Sequence, residues 1–339
     1  MTAGMGSPGC GRPGDMPTLY PNGCRVNQVA GGPRSGDTAC VIGDETPAAA
    51  GPGGPREGVV LGDNLDVLRA LPDGCVDLVY IDPPFGTGQR RRLDSIRTGS
   101  GDRTRAGFGG RTYRWETVSS LQYQDGMDLD AYLGFLAPRL AEIHRVLAPH
   151  GSLYVHLDHH AVHHVRLLLD GVFGPERFLN EIIWAYDYGG RARDRWARKH
   201  DNILWYARSA SWVFNREAVD RIPYLAPGLV GPEKAARGKL PTDTWWHTIV
   251  SPTGKEKTGY PTQKPLGILR RMILASSNPG DLVLDFFAGS GTTGVAAHEA
   301  GRRFILVDDN PQAFEVMRKR LGPMGARFIE GAQKAAQES

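Results

Sequence analysis

The sequence predicts an α/β protein with a doubly wound, mostly parallel sheet and one inserted region. Short apolar runs alternate with stretches in which apolar residues recur at helical spacing. Two of the runs end in turns that carry carboxylates, as strands do at the ligand-binding edge of a parallel sheet. With 339 residues, 40% of them hydrophobic, the chain can bury a sizeable core.

The alternation is interrupted once. Its first part predicts strands over 59–61, 76–81 and 152–157, and helices over 65–70, 129–147 and 159–169. Its second part predicts helices over 266–275 and 314–321, a helix that follows the turn at 286–293 and runs to about 300, and strands over 281–285 and 303–308. The run 76–81 is almost continuously apolar, as in a strand that is buried on both faces.

Composition divides the chain into five parts. Residues 1–57 hold 21 Gly or Pro and few large apolar residues, so we expect a disordered head. Six of the seven tryptophans lie within or at the border of 185–258, which predicts an insertion between the two halves of the main domain. The halves are then 58–184 and 259–325, and 326–339 is expected to be a C-terminal tail.

Composition also indicates the cellular environment in which the protein is expected to act. No apolar run approaches the roughly 20 residues that a membrane-spanning helix needs, and the first residues do not resemble a secretory signal. The four cysteines lack zinc-ligand spacing, so we expect reduced thiols, a cytoplasmic location and no membrane partner. The segment 86–114 carries eight arginines against two aspartates. Such a loop either grips phosphates or is simply solvated.

A glycine-rich turn follows the strand that ends at Asp285. The sequence Asp-Phe-Phe-Ala-Gly-Ser-Gly-Thr over 285–292 opens a predicted helix, where free N–H groups and small residues admit a ligand. Asp308 lies 23 residues after Asp285, close to the spacing of a carboxylate that binds ribose hydroxyls. A nucleoside cofactor is therefore predicted. Spacing alone also allows NAD, because Gly289, Gly291 and Gly294 fit G-x-G-x-x-G.

A second motif, Asp82-Pro83-Pro84-Phe85, follows the strand 76–81. The carboxylate can accept hydrogen bonds from an amino group, and the prolines stiffen the turn. The aromatic ring offers a face on which a base can stack. Taken alone, the motif is equally consistent with a plain strand-to-loop turn; beside the predicted cofactor turn, it indicates a reaction site.

Together these motifs resemble the S-adenosylmethionine-dependent DNA amino-methyltransferases. The order, with Asp-Pro-Pro-Phe before the glycine turn, is similar to the β group, which includes type III modification subunits and solitary adenine methyltransferases. The resemblance covers about 58–320 and includes Tyr-Pro-Thr-Gln-Lys-Pro at 260–265. It implies a Rossmann-like methyltransferase fold with permuted motif order and a target-recognition region at 185–258.

The resemblance implies a role for each motif residue. The catalytic set Asp82, Pro83, Pro84 and Phe85 would hold the amino group and stack on a flipped-out adenine. S-adenosylmethionine would be held by Asp63, Lys264, Asp285, Phe287, Gly289, Ser290, Gly291, Thr292 and Asp308. Within this set Lys264 would pair with the methionine carboxylate, Asp308 with the ribose and Asp63 with the adenine amino group.

The implied substrate is double-stranded DNA, methylated at adenine N6. Cytosine-N4 or RNA amino-methylation is the alternative, although cytosine enzymes more often have Ser where Asp82 stands. DNA contacts are expected from Arg90, Arg91, Arg92, Arg195, Arg198 and Lys199. A restriction endonuclease and a second copy of the chain are the protein partners that the resemblance allows. No metal is expected, although His159/His163 and His160/His164 would be i, i+4 pairs on a helix.

Overall fold

The computed structural model describes residues 58–84, 89–106, 112–125, 128–189, 191–251 and 254–330, with the backbone alone for 89–106 and 112–125. The predictions for the head 1–57 and for Phe85 lie outside the described residues. No helix within the described ranges is long and apolar enough to cross a membrane.

A nine-stranded sheet forms the centre of the protein, in the order β11-β1-β10-β9-β2-β5-β7-β6-β8. The first six strands of that order are parallel neighbours, whereas β7 runs antiparallel to both β5 and β6. Its strands are β1 (Gly58–Leu61), β2 (Val76–Ile81), β5 (Leu147–Leu157), β6 (Phe178–Ala185), β7 (His200–Ala207), β8 (Thr244–Trp246), β9 (Leu282–Asp285), β10 (Arg303–Asp308) and β11 (Phe328–Glu330).

Helices cover both faces of this sheet. The helices are α1 (Asn64–Ala70), α2 (Leu129–Val146), α3 (Val162–Phe173), α4 (Pro232–Arg237), α5 (Leu266–Ser276), α6 (Thr292–Glu299) and α7 (Pro311–Leu321). Buried side chains of α1, α2 and α3 share one core cluster, and those of α5, α6 and α7 share the other. The doubly wound, mostly parallel architecture is therefore confirmed.

Local sequence signals explain where the key helices begin. Asp63 accepts hydrogen bonds from the backbone of Leu65 and Asp66, so it is the N-cap of α1. Asn310 caps α7, and Pro311 takes the first helical position, where a missing N–H costs nothing. Both caps directly follow a strand, β1 or β10, and so place polar side chains at the same edge of the sheet.

Two sequence predictions need correction. The Arg-rich segment 86–114, expected to be a loop, lies largely in an antiparallel hairpin of β3 (Gln89–Ala106) and β4 (Thr112–Asp125). The expected C-terminal tail 326–339 contains β11, which pairs with β1 and extends the sheet. The predicted insertion 185–258 contributes two strands, β7 and β8, to this sheet.

Helix α3 also begins later than its periodicity suggested. Asp158 accepts the backbone N–H groups of His160 and Ala161, and the helix starts only at Val162. His159 and His160 therefore precede the helix, so the predicted i, i+4 histidine pairs on one helix are wrong.

Candidate active site

Two strands that are far apart in the sequence bring the predicted motifs together. Strands β9 and β2 are direct neighbours, with Val79 opposite Leu284. Asp82 follows β2 and Asp285 ends β9, so the two carboxylates meet at the carboxyl edge of the sheet. Helices cross to opposite faces on either side of this point, which is where α/β proteins bind ligands.

Within the described ranges, Asp82 is held through one of its two carboxylate oxygens. Its Oδ2 accepts a hydrogen bond from the ammonium group of Lys264, in an ion pair that is mostly buried. Its Oδ1 is buried and has no hydrogen-bond partner among the described residues. A buried carboxylate oxygen without a donor is costly, so this atom is suited to accept an N–H from a substrate. The next residue, Pro83, is also buried.

The glycine turn depends on backbone that only glycine adopts easily. Gly289 has φ +51° and Gly291 has φ +74°. A Cβ on Gly289 would stand 3.2 Å from the ring of Tyr260, and one on Gly291 would stand 2.8 Å from Cγ of Met317. Helix α6 starts directly after this turn, at Thr292.

Asp285 ties the turn to the helix from within the core. It accepts the backbone N–H of Phe287 at 3.1 Å and the hydroxyl of Thr293 at 2.5 Å. The side chain is almost wholly buried, and this burial raises its pKa to about 7. Asp285 therefore supports the turn through its own hydrogen bonds.

Asp308, the last residue of β10, also holds the glycine turn in place. Its Oδ2 accepts the backbone N–H of Gly289 at 2.7 Å, and its Oδ1 accepts that of Asn310 at 2.9 Å. Burial raises the pKa of Asp308 to about 6. Since each carboxylate oxygen has two lone pairs, both can still accept a ligand hydroxyl.

Ser290 and Thr292 accept hydrogen bonds from Arg320, a residue that the sequence analysis missed. Arg320 of α7 donates to the carbonyl of Ser290 at 3.1 Å and to Oγ1 of Thr292 at 2.9 Å. The Thr292 hydroxyl in turn donates to the carbonyl of Lys264 at 3.2 Å. These bonds fix the start of α6 against the loop that carries Lys264.

The turn after β1 lies at the same edge of the sheet and is bonded to the glycine turn. Asn64 donates to the carbonyl of Phe286 at 2.9 Å and accepts from Nε of Arg139 at 2.6 Å. The guanidinium of Arg139 also lies 3.8 Å from Asp63, whose side chain is 57% exposed. Arg139 and Asn64, both missed in the sequence analysis, thus connect Asp63 to the glycine turn.

Comparison with known proteins identifies the family. The model of the N6/N4 DNA methylase family matches residues 76–319. The chain belongs to this DNA methylase family. S-adenosylmethionine is the methyl donor of such enzymes, so the alternative of NAD is discarded.

The names of individual relatives agree with this family. The methylase is 29% identical over 283 residues to the DNA adenine methyltransferase YhdJ of Escherichia coli K12, covering 79% of this chain and 84% of that protein. It is 29% identical over 265 residues to the type II methyltransferase M.HpaI of Haemophilus parainfluenzae, covering 78% and 73%. TTHA0409 of Thermus thermophilus, solved with S-adenosylmethionine, shares the fold at TM-score 0.50 and 20% identity, covering 83% and 100%.

The side chains at the carboxyl edge of the sheet fit this methyl donor chemically. Asp63, Asp82 and Asp308 bring three carboxyl groups to one edge, which suits ribose hydroxyls and a sulfonium cation. Phe287 is half-buried and packs 6.0 Å from the ring of Phe135, so an aromatic wall lies beside the turn.

A buried polar chain beside Asp82 is a further feature that the sequence analysis missed. His156 of β5 is fully buried; its Nδ1 lies 3.0 Å from the hydroxyl of Tyr80 and its Nε2 lies 3.1 Å from Oδ2 of Asp201. Tyr186 donates to Oδ1 of Asp201 at 3.0 Å. A polar residue at a strand position otherwise reserved for apolar side chains was the available signal, since His156 interrupts an apolar run.

The predicted DNA contacts of the methylase fall in two places. Arg195 and Arg198 are exposed in the connection between β6 and β7, beside Trp196, which is 95% exposed. Lys199 instead donates to the carbonyls of Asp187 and Gly189, at 3.0 and 3.1 Å, and closes the base of this connection. Arg90, Arg91 and Arg92 belong to β3, and their side chains lie outside the description.

Proposed function

We propose that this methylase transfers a methyl group from S-adenosylmethionine to the exocyclic N6 of an adenine flipped out of double-stranded DNA. The observation that carries the proposal is Oδ1 of Asp82, a buried acceptor without a donor among the described residues, at the carboxyl edge of the sheet. An amino N–H of the base would satisfy it. Flipping is required because that amino group is otherwise paired inside the duplex.

The residues around Asp82 divide the task. Asp82 orients the amino nitrogen, the carbonyl of Pro83 accepts its second N–H, and Pro84 keeps the turn rigid. Phe85, outside the described residues, stacks on the base. When bound, S-adenosylmethionine would supply a methyl group on a positively charged sulfur. The amino nitrogen held by Asp82 would attack the methyl carbon, the C–S bond would break with its electron pair left on sulfur, and the methylated nitrogen would then lose a proton.

The glycine turn holds the methyl donor. Gly289, Ser290, Gly291 and Thr292 line the methionine part at the start of α6, beside the ring of Phe287. Asp308 accepts hydrogen bonds from the ribose hydroxyls, and Asp63 accepts one from the amino group of the donor's adenine.

Asp285 acts through the turn, since its hydrogen bonds hold Phe287 and Thr293 in place. Lys264 contacts Asp82 here, so its charge serves the base site as well as any donor carboxylate.

Adenine is favoured over cytosine for two reasons. An aspartate, rather than the serine common in cytosine-N4 enzymes, stands at position 82. In addition, the relative YhdJ is named as an adenine methyltransferase. Cytosine-N4 methylation is the second candidate, because the family model covers both reactions.

Nucleoside analysis by mass spectrometry decides between these products. Plasmid DNA incubated with the full chain and isotope-labelled S-adenosylmethionine should yield labelled N6-methyladenine, and label in N4-methylcytosine would overturn the adenine assignment. Asp82→Ala should abolish transfer and leave the dissociation constant of S-adenosylmethionine within about threefold. Near-normal turnover of that variant would disprove the role of Asp82.

The segment 185–258 is proposed to recognise the target sequence, and the cytoplasm is the proposed site of action.

Two protein partners stay predictions: a cognate restriction endonuclease and a second copy of the chain in a homodimer. Cleavage of unmodified but not modified DNA by a co-expressed nuclease tests the first. Sedimentation of the purified chain tests the second.

A further inference from the structure

The segment that joins β6 to β7, residues 186–199 and here called the β6–β7 connection, leaves the sheet at the same edge as Asp82. Strand β7 is antiparallel to both β5 and β6, so β6 runs in the direction of β5 and of β2. The carboxyl end of β6 therefore lies at the carboxyl edge. In the order β2-β5-β7-β6, three strand spacings of about 4.8 Å place the start of the connection roughly 14 Å to the side of Asp82.

The base of the β6–β7 connection is closed by hydrogen bonds. The backbone N–H of Tyr186 donates to the carbonyl of Lys199 at 2.9 Å. The ammonium group of Lys199 donates in turn to the carbonyls of Asp187 and Gly189, at 3.0 and 3.1 Å. Residues 191–198, between these anchor points, are all exposed. The connection therefore presents their side chains to a partner from a fixed base.

The exposed part of the connection combines positive charge with a large aromatic ring. Residues 191–199 include four arginines and one lysine against a single aspartate. Trp196 is 95% exposed, whereas Trp184 in β6 and Trp205 in β7 are 3% and 7% exposed. The ring of Trp196 thus adds nothing to the core. Cations that bind phosphates, beside a ring that stacks on bases, are the features that a nucleic-acid strand requires.

A flipped-out base leaves a gap in the stack of the duplex. Extrusion of the base costs the energy of its stacking and pairing. An apolar side chain that inserts between base steps makes new stacking contacts in that gap. The group that fills the gap has to stand about one groove away from the pocket that receives the base, and the major groove is about 12 Å wide. The offset between Asp82 and the β6–β7 connection meets this requirement.

We propose that Trp196 enters the duplex at the position that the target base leaves, while Arg195 and Arg198 bind the phosphates on either side. This inference rests on the proposed function, in which Asp82 receives the flipped base. Trp196 then lowers the free energy of the flipped state and makes no contact with the methyl donor. Its loss should slow methylation where base pairing resists extrusion, and much less where pairing is already absent.

Two DNA duplexes test this difference. Both carry the sequence that the wild-type chain methylates, located by sequencing of methylated plasmid. In the second duplex the nucleotide opposite the target base is replaced by an abasic site, so no base pair has to be broken. Single-turnover rates at saturating DNA and saturating S-adenosylmethionine report flipping and transfer without the affinity for either ligand.

Trp196→Ala should lower the single-turnover rate about ten- to a hundredfold on the paired duplex and less than about threefold on the abasic one. Trp196→Phe should keep at least about a third of the wild-type rate on both, because a phenyl ring still stacks. Since the ring of Trp196 is almost wholly exposed, the thermal midpoint of Trp196→Ala should equal that of wild type. Equal losses on the two duplexes, or a wild-type rate on the paired duplex, would overturn the inference.

Trp246 provides the matched comparison. It is 73% exposed and lies in β8, one strand further from Asp82, where it pairs with Ala185 at the end of β6. Trp246→Ala should slow both duplexes by the same factor, whatever that factor is. A loss that the abasic site relieves in Trp246→Ala and not in Trp196→Ala would assign the insertion to Trp246 and overturn the inference.

Fluorescence of 2-aminopurine, placed at the target position, gives a readout that needs no methyl transfer. Emission of this base rises when it leaves the stack. At protein concentrations that saturate the DNA, Trp196→Ala should give less than about a third of the wild-type increase, and an equal increase would contradict the inference. The comparison of the two duplexes applies to a flipped adenine or cytosine alike. Failure of the adenine assignment and failure of this inference are therefore separate outcomes.

Discussion

Asn64 and Phe286 are 222 positions apart, yet the Asn64 amide donates to the Phe286 carbonyl at 2.9 Å. This bond joins the turn after β1 to the turn after β9, one from each half of the domain. Because the same amide accepts from Arg139, it holds three segments at the edge where the methyl donor is proposed to bind.

Asn64→Ala should weaken donor binding. Removal of both bonds leaves a partly buried guanidinium and carbonyl without this partner, which costs about 1–3 kcal/mol. We expect a five- to fiftyfold higher dissociation constant for S-adenosylmethionine in calorimetric titrations. Asn278→Ala, which removes an amide bonded to Asn215 at 3.1 Å at the opposite edge, should leave that constant unchanged. Equal effects of the two variants would contradict a local role for Asn64.

Asp285→Asn should flatten the pH dependence of stability. The folded-state pKa is raised to about 7, so the native state keeps a proton that the unfolded chain has lost. Unfolding releases this proton, and stability falls as the pH rises from about 4 to about 7. Three pKa units correspond to about 4 kcal/mol. Urea unfolding at pH 4, 5.5 and 7 should show this fall in wild type and in the exposed-site control Asp309→Asn, and not in Asp285→Asn.

Gly291→Ala should impair the glycine turn. The left-handed backbone costs an L-residue about 1–2 kcal/mol, and the new Cβ would stand 2.8 Å from Met317. Gly301→Ala is the matched control: its φ is +71°, and nothing lies within 4 Å of its Cβ. Thermal unfolding should show a larger loss for Gly291→Ala, and only this variant should lose donor affinity. Similar losses would mean that crowding at Met317 has no effect.

Arg195 and Arg198 should contribute phosphate contacts. Each contact that is lost flattens the log–log salt dependence of DNA affinity by about 0.9. Arg195→Ala and Arg198→Ala are each expected to show this change in fluorescence titrations at several salt concentrations. Lys199→Ala should change the slope less, because its ammonium group is already bonded to two carbonyls. The opposite order would show that Lys199 is the phosphate ligand.

Replacement of Arg90, Arg91 and Arg92 by Ala should weaken binding to all DNA sequences alike. The basic excess of the β3–β4 hairpin predicts non-specific affinity rather than base recognition. The triple variant should therefore flatten the salt slope and keep the preference between target and random duplexes. Lys319→Ala, an exposed cation on α7, is the control. An unchanged slope in the triple variant would mean that the hairpin arginines are solvated surface.

Several features of this protein follow from its sequence alone. The apolar periodicity located β2, β10 and most of the helices to within a few residues, because helical and strand spacing are properties of short windows. The motif at 82–85 and the turn at 285–292 identified the chemistry, since Asp82 and the glycines can be recognised without knowledge of their neighbours.

Only the tertiary structure decided which distant groups meet. The order of strands puts β9 beside β2 and β7 beside β5, and this order brings Lys264 to Asp82 and Asp201 to His156. It also placed β11 on the sheet, where a tail was expected. No local pattern encodes these pairings, because they depend on how strands far apart in the chain pack side by side, and the electrostatics of the site depends on that packing.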